Sequence, residues 1–167
     1  MTGTEQDTRT VQVHRVYIRA TPEAVWNAIV DPEWSMRYGY GASNVYDLRA
    51  GGAYQGKASP GMLAHGAPEL AVDGEVIEAD PPHRLVQTWR MLMDPGLAAE
   101  GFTRLTYEIK AGEGGVTSLT VTHDLTGAPG LARLVAGDQE SEGAGGGWAW
   151  VLSDLKTLLE TGTGFHG

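Results

Sequence analysis

Residues 143–160 read GAGGGWAWVLSDLKTLLE, a run of glycines followed at once by an amphipathic segment. Apolar side chains recur three and four residues apart in this segment, which is the spacing of one face of an α-helix. They are Trp148, Val151, Leu152, Leu155, Leu158 and Leu159. The polar residues between them are predicted to face away from this stripe. They are Ser153, Asp154, Lys156, Thr157 and Glu160. We therefore expect one long helix that covers an apolar surface.

Four glycines precede this predicted helix. They are Gly143, Gly145, Gly146 and Gly147. A phosphate-binding loop needs Lys followed by Ser or Thr after its glycines, whereas this run leads into Trp148. We therefore interpret the run as a hinge, which either lets the helix begin at a sharp angle or lets it lift to admit a ligand.

Most of residues 11–124 has the alternation and the turn chemistry of β-strands. Strands are predicted at residues 10–20, 44–49, 52–58, 70–79, 84–93, 102–110 and 116–124. Thr21-Pro22 and Asp31-Pro32 are helix start signals, so two short helices are predicted after the first strand. The strands that follow are joined by Gly- and Pro-containing turns, which predicts an antiparallel meander.

Two longer connections interrupt this pattern. Residues 59–69, SPGMLAHGAPE, are rich in Gly and Pro and are predicted to form a flexible loop with Met62 and Leu63 at its tip. Residues 125–147 form a second loop region, with a helical turn predicted at LARLVAG. The surface beneath the long helix is therefore expected to be a sheet, and a helix held across a sheet can enclose a binding site.

The composition fits one globular domain. The chain has 167 residues, of which 41% are hydrophobic and 20% charged. We expect a single domain over residues 11–162, a flexible leader over residues 1–10 and a tail over residues 163–167.

Charge and targeting signals exclude several classes of function. The net charge of -9 disfavours nucleic-acid or anionic-membrane partners, which require a positive field. The chain has no cysteine, so disulfides, thiol catalysis and thiolate metal sites are excluded. The first ten residues, MTGTEQDTRT, lack the features of a signal peptide, and a cytoplasmic location is expected.

Several segments resemble one known superfamily. They are VYIRATPEAVWNAIVDPEW near the start, then RLVQTW, TRLTYEI, LTVTHD and the closing GGGWAWVLSDLKTLLETG. Together they resemble the START-like, or SRPBCC, superfamily over about residues 11–162. The resemblance implies an α+β helix-grip fold, in which a curved antiparallel sheet of about seven strands grips a long C-terminal helix. The branch is similar to the C-terminal domain of the activator of the heat-shock-protein-90 ATPase.

A narrower resemblance rests on VHRVYIRATPE, RYGYG and the closing helix. These segments are similar to the actinobacterial proteins that protect a producer from its own enediyne antibiotic of the calicheamicin type. If the mechanism were shared, a backbone glycine facing the ligand would donate a hydrogen atom to the drug radical.

His14 and His123 are the candidate catalytic residues. The first and last strands are neighbours in the helix-grip fold, and both histidines fall on the apolar faces of those strands. One interpretation makes them acid-base groups, and the other makes them structural histidines satisfied by hydrogen bonds. No carboxylate on these strands offers a third ligand, so no metal or cofactor is predicted.

Other polar groups are interpreted as structural. Asp73 and Glu75 alternate along the fourth strand, and we expect them on its solvated face rather than in catalysis. No serine lies in a nucleophile-elbow sequence.

Aromatic and sulfur-containing residues indicate the nature of the ligand. They occur in the elements that a helix-grip fold wraps around its cavity, and each could equally be a core residue. The predicted ligand-binding residues are Trp26, Trp34, Tyr38, Tyr54, Met62, Trp89, Met91, Phe102, Tyr107, Trp148 and Leu152. Tyr40, Met93 and Trp150 belong to the same set.

The leading hypothesis is a binding protein for a hydrophobic small molecule, such as a polyketide or an enediyne-type metabolite. It would act in antibiotic self-resistance, by sequestration or by self-sacrifice. We favour a protein without catalysis, because no catalytic constellation accompanies the binding fold. The alternatives are a polyketide cyclase or hydrolase of the same superfamily and an activator of a chaperone ATPase.

Overall fold

The structure, a computed structural model, describes residues 10–142 and 145–166. Residues 1–9 of the predicted leader, Gly143 of the glycine run and Gly167 of the predicted tail lie outside the described residues. The described part of the chain forms seven strands and six α-helices. In chain order they are β1 Val11–Ile18, α1 Pro22–Val30, α2 Pro32–Ser35, β2 Ser43–Tyr46, β3 Ala53–Lys57, α3 Pro60–Ala64, β4 Leu70–Asp80, β5 Arg84–Met91, α4 Pro95–Ala98, β6 Thr103–Ala111, β7 Thr117–Asp124, α5 Pro129–Val135 and α6 Gly147–Thr161.

The seven strands form one antiparallel sheet in the order β1-β7-β6-β5-β4-β3-β2. The first strand pairs with the last, with Val11 opposite Asp124, and hairpins join the others in sequence. The predicted α+β helix-grip fold is confirmed, with seven strands at the predicted positions. The connections that contain α3, α4 and α5 all lie at one end of the strands, the end at which β1 begins and β7 ends. We call it the loop end.

The predicted start signals of the first two helices are confirmed. The Thr21 side chain accepts a hydrogen bond from the backbone N–H of Ala24 at the start of α1. Asp31 ends α1 and caps α2, because its carboxylate accepts from the N–H of Glu33. The chain therefore turns between two helices at a single residue.

The flexible loop predicted at residues 59–69 is wrong in its first half, which forms α3. Ser59 caps this helix by accepting from the N–H of Met62, and Pro60 occupies its first turn. Ser59-Pro60 is a helix start signal of the same kind as Thr21-Pro22 before α1, but α3 is too short to show helical periodicity. The helical turn predicted within residues 125–147 is confirmed as α5.

The core lies between one face of the sheet and the two longest helices, α1 and α6. Leu85, Leu105 and Leu119 from the strands and Leu155 from α6 have almost no exposed surface. The apolar stripe of α6 therefore covers the sheet as its spacing predicts. None of the helices in the described ranges has both the length and the apolar character needed to cross a bilayer.

Asp154 contradicts the predicted pattern of α6, because it is fully buried instead of facing solvent. Its carboxylate accepts hydrogen bonds from two backbone N–H groups, that of Gly39 at 2.8 Å and that of Phe165 at 2.7 Å. Residues 162–166 fold back over α6, and this tail together with the connection after α2 covers the carboxylate. A polar residue on the outward face of the helix is thereby enclosed.

Candidate functional site

Two adjoining buried clusters, a large one between the sheet and α6 and a small one around Tyr54, contain most of the predicted ligand-binding residues. Each of the following keeps 9% or less of its surface exposed: Trp26, Tyr38, Tyr54, Tyr107, Trp148 and Leu152. Trp34, Trp89 and Met91 are half-buried and pack against them. Protein atoms cover these rings, so the residues that were predicted to wall a cavity fill the interior themselves.

Two predicted residues do not join this interior. Met62 lies on α3, outside the buried clusters. Phe102 is 52% exposed, and the Arg90 guanidinium lies 4.3 Å from the centre of its ring. Both flank the loop end instead of facing α6.

Four tyrosines bring their hydroxyl groups into the apolar interior. Tyr38, Tyr46, Tyr54 and Tyr107, here called the phenol cluster, come from the connection after α2 and from β2, β3 and β6. The rings of Tyr46 and Tyr54 stack with their centres 4.6 Å apart. Burial, followed by the nearby phenols, raises the pKa of Tyr46 and of Tyr107 well above the ordinary tyrosine value. These groups are therefore neutral hydrogen-bonding groups and cannot serve as bases.

Polar side chains hold two members of the phenol cluster in place. The Tyr46 hydroxyl donates to Oε1 of Gln87 at 2.6 Å, and the Tyr54 hydroxyl donates to Oδ1 of Asn44 at 3.2 Å. Gln87 is fully buried. The sequence interpretation missed Tyr46, Asn44 and Gln87 as site residues. Gln87 carried a usable signal, because it lies between Leu85 and Trp89 on the inward alternation of β5.

His123 connects α6 to the sheet through a chain of hydrogen bonds, here called the imidazole link. The indole N–H of Trp148 donates to Nδ1 of His123 at 3.1 Å, and an indole nitrogen can only donate. Nδ1 is therefore the acceptor, and Nε2 carries the proton that it donates to Oγ1 of Thr103 at 2.8 Å. The Thr103 hydroxyl donates in turn to the backbone oxygen of Trp89.

Burial is the main reason that the pKa of His123 is lowered to about 3, and repulsion from His14 adds to it. The imidazole is therefore neutral, and both of its nitrogens are engaged within the protein. This geometry favours the structural interpretation of His123 over the acid-base one. His14 acts similarly, because its Nε2 donates to Oε1 of Gln12, whose amide donates to the backbone oxygen of Ala132 in α5.

Further hydrogen bonds close the loop end. The Glu100 carboxylate, from the connection between β5 and β6, accepts from the N–H groups of Gly130 and Leu131 at 2.9 and 3.0 Å. It therefore caps the start of α5. The Tyr40 hydroxyl accepts from the N–H of Gly147, the first residue of α6. A Cβ at Gly147 would overlap the backbone oxygen of Val135, so glycine permits the close approach of α5 and α6.

The predicted solvated carboxylates lie on the outer face of the sheet. Asp73 forms a paired salt bridge with Arg90, with contacts of 2.8 and 3.0 Å. Among the residues that the structure describes, no three His, Asp or Glu side chains gather closely enough to hold a metal ion. The side chains of the interior can therefore enclose the apolar surface of a ligand and form hydrogen bonds with its polar groups.

The fold and this interior define the class: a helix-grip protein, in which a curved sheet and a long C-terminal helix enclose one apolar interior. Residues 19–160 match the family model described as activator of Hsp90 ATPase homolog 1-like protein. The chain belongs to this family. Among curated proteins, no relative matches the sequence.

Several solved structures are similar to this chain. CalU16 from Micromonospora echinospora is 21% identical with a TM-score of 0.60, and the match covers 89% of this chain and 65% of CalU16. DynU16, from the dynemicin biosynthetic locus, is 21% identical with a TM-score of 0.62, and the match covers 92% of this chain and 48% of DynU16. PFC0360w, an Hsp90 activator from Plasmodium falciparum, is 22% identical with a TM-score of 0.51, covering 68% of this chain and 71% of that one. At these identities the likeness establishes the fold alone.

Proposed function

We propose that the protein binds an apolar small molecule that carries oxygen substituents, between the sheet and α6. A polycyclic polyketide or an enediyne-type metabolite has this character. The observation that carries the proposal is the phenol cluster, which places neutral hydroxyl groups, one of them bonded to Gln87, inside an otherwise apolar interior. Buried polar groups of this kind orient a ligand whose apolar body fills the remaining space.

Binding must be coupled to opening, because aromatic side chains fill the interior in the closed form. The loop end is closed by a few hydrogen bonds, from Glu100, Gln12 and Tyr40. Each contributes about 0.5–1.5 kcal/mol, or up to about 3 kcal/mol where a charged group takes part. A ligand that buries apolar surface at about 25 cal/mol per Å² can offset their loss. The fraction of open molecules then scales the apparent affinity.

The proposed biological role is self-resistance to such a metabolite. Sequestration needs nothing beyond binding. Self-sacrifice needs a glycine that faces the ligand, and Gly56 fits best, because it is buried on β3 and a Cβ there would lie 3.0 Å from the Tyr54 hydroxyl. Transfer of a Gly56 Cα hydrogen to a ligand radical would quench that radical and leave a glycyl radical. Dioxygen would then add to the glycyl radical, and breakdown of the resulting peroxyl species would cleave the chain at that residue.

Mass spectrometry of small molecules that copurify with the protein tests the proposal. We expect an apolar, oxygen-bearing compound, and an intact chain would favour sequestration over cleavage at Gly56. A hydroxylated anthraquinone serves as the probe for titration, with quenching of tryptophan fluorescence as the measurement. Tyr107→Phe is expected to weaken binding about tenfold, because it removes one buried hydroxyl group without changing shape.

Tyr17→Phe is the matched control for that titration, because Tyr17 is 57% exposed on β1. It is expected to bind as the unmodified protein does.

Glu100→Gln is expected to speed association in stopped-flow measurements, since the amide has one oxygen for two N–H donors of α5. Absence of both a copurified compound and a saturable probe signal would contradict the proposal.

A second candidate function, activation of a chaperone ATPase, is favoured by an apolar strip on the outer side of β1. Val11, Val13 and Tyr17 are 40%, 59% and 57% exposed on this edge strand. An exposed apolar strip of this kind suits a protein partner.

The prediction for this second candidate is a saturable rise in the ATPase rate of a purified Hsp90-type chaperone. Val13→Ser combined with Tyr17→Ser is expected to reduce the rise. Val45→Ser, which alters an exposed residue on the opposite edge strand β2, is the matched control and should leave the rate unchanged. A chaperone rate that does not respond to the protein would exclude this function.

A further inference from the structure

We propose that an exposed groove beside the start of α6 binds an organic ammonium cation, such as a methylated amine. We call it the aromatic groove. It has a volume of about 260 Å³. Its lining residues are Tyr40, Glu140, Gly145, Gly146, Trp150 and His166. The inference is independent of the proposed function, because this groove lies outside the interior that α6 covers.

Aromatic rings form the walls of the aromatic groove. Tyr40 comes from the connection after α2, Trp150 from the first turn of α6 and His166 from the tail. The ring centres of Trp150 and Phe165 are 4.9 Å apart, and those of Trp150 and His166 are 6.2 Å apart. The tail therefore holds the indole in position. A ring face in such a wall attracts a cation through its quadrupole, and tryptophan does so most strongly.

A carboxylate and two glycines complete the aromatic groove. A Cβ at Gly146 would lie 2.9 Å from Cβ of Trp150 and 3.1 Å from Oε2 of Glu140. A Cβ at Gly145 would lie 2.5 Å from the Tyr40 hydroxyl oxygen. The glycines therefore let Tyr40, Trp150 and Glu140 approach the backbone that forms the floor of the groove. A side chain at either position would collide with these residues and displace them.

The combination of walls and charge selects the class of ligand. Aromatic rings beside one carboxylate suit a cation with an apolar surface, because the rings take the methyl groups and the carboxylate takes the charge. A metal ion needs several oxygen or nitrogen ligands gathered around one point, and no three His, Asp or Glu side chains of the described residues gather in that way. The net charge of -9 for the whole chain favours a cation over an anion.

Choline and its neutral isostere 3,3-dimethyl-1-butanol are the probes that test the aromatic groove. NMR titration that follows the Trp150 indole N–H is the measurement. We expect choline to bind saturably and the neutral isostere to bind about tenfold more weakly. Glu140→Gln and Trp150→Leu are each expected to weaken choline about tenfold.

Matched controls separate the groove from general surface effects. Glu113→Gln removes an exposed carboxylate at the end of the sheet opposite the loop end. Phe102→Leu removes an exposed aromatic ring. Neither variant should change the affinity for choline. If Trp150→Leu fails to fold, Tyr40→Leu tests the same wall. Equal binding of the neutral isostere, or unchanged affinity in Glu140→Gln, overturns the proposal. A ligand of the interior would shift the indole signals of Trp89 and Trp148 instead, so the two proposals fail separately.

Discussion

Replacing His123 with leucine is expected to destabilise the protein by about 2–4 kcal/mol, although leucine fills a similar volume. Leucine has no hydrogen-bonding atom, so the Trp148 indole loses its acceptor and the Thr103 hydroxyl oxygen loses its donor. His123 has no exposed surface, and water cannot replace these partners unless the core opens. Chemical denaturation followed by circular dichroism measures the change in the free energy of unfolding.

Two variants sharpen this experiment. His123→Asn keeps an acceptor near the position of Nδ1, so it preserves the bond to Trp148 and is expected to recover part of the loss. His83→Leu is the matched control, because His83 is exposed at the end of the sheet opposite Trp148. It should change the free energy of unfolding by less than about 0.5 kcal/mol. If both leucine variants behave alike, the imidazole link contributes nothing to stability.

The dependence on pH gives the same prediction a second measurement. Burial lowers the pKa of His123 from 6.5 to about 3, so between these pH values the unfolded chain binds more protons than the folded one. Stability therefore falls as the pH is lowered through this window, by up to about 1.4 kcal/mol per pH unit. His123→Leu lacks this contribution. The stability difference between the two proteins should therefore shrink as the solution becomes more acidic.

The positions of both histidines on inward faces could be predicted from the sequence, and their partners could not. Alternation along a strand places His14 and His123 beside apolar neighbours, which is enough to predict burial. The partner of His123 is Trp148 in α6. His14 bonds to Gln12, which in turn bonds to Ala132 in α5. Trp148 and Ala132 are both distant in sequence from the strand residues that they contact. Only the packed fold brings these groups together, so the choice between structural and acid-base roles stayed open.

The filled interior illustrates a second limit of sequence reasoning. The resemblance to the helix-grip fold predicts that Trp26, Tyr107 and Trp148 face the interior, and the structure places them there. Whether such rings surround a cavity or fill it depends on whether their summed volume is smaller than the space that the curved sheet encloses. No local pattern encodes that comparison. Gln87, which bonds to the phenol cluster, is missing from the predicted site although it leaves a local signal, because it interrupts an inward alternation of apolar residues.

Helical spacing predicts the wrong environment for Asp154, because its partners are backbone N–H groups. Helical spacing separates apolar from polar faces, and it assigns every carboxylate to solvent. The connection after α2 and the tail cover one turn of the polar face of α6. Such coverage leaves no periodic signal in the sequence of the helix. The same reasoning explains α3, where a good cap at Ser59 starts a helix too short for periodicity to reveal.

Replacing Asp154 with alanine is the second large effect that we expect, a loss of about 2–4 kcal/mol in the free energy of unfolding. The N–H groups of Gly39 and Phe165 lose the carboxylate acceptor of a side chain that itself has no exposed surface. Asp154→Asn keeps one acceptor oxygen and turns an amide N–H toward the other donor, so an intermediate loss is expected. Ser153→Ala, which alters the exposed neighbour on α6, is the matched control and should be nearly neutral.

Hydrogen exchange localises the effect of Asp154→Ala. The amides of Gly39 and Phe165 should lose protection first, because the carboxylate is the acceptor of both. Without the bond from its N–H to Asp154, Phe165 is no longer held beside Trp150. His166, the next residue and a wall of the aromatic groove, is then also released. Asp154→Ala should therefore weaken choline binding although Asp154 does not line the groove. Retained protection at Phe165 together with full stability would show that the tail is held by its ring contacts with Trp150, and that the buried carboxylate has another purpose.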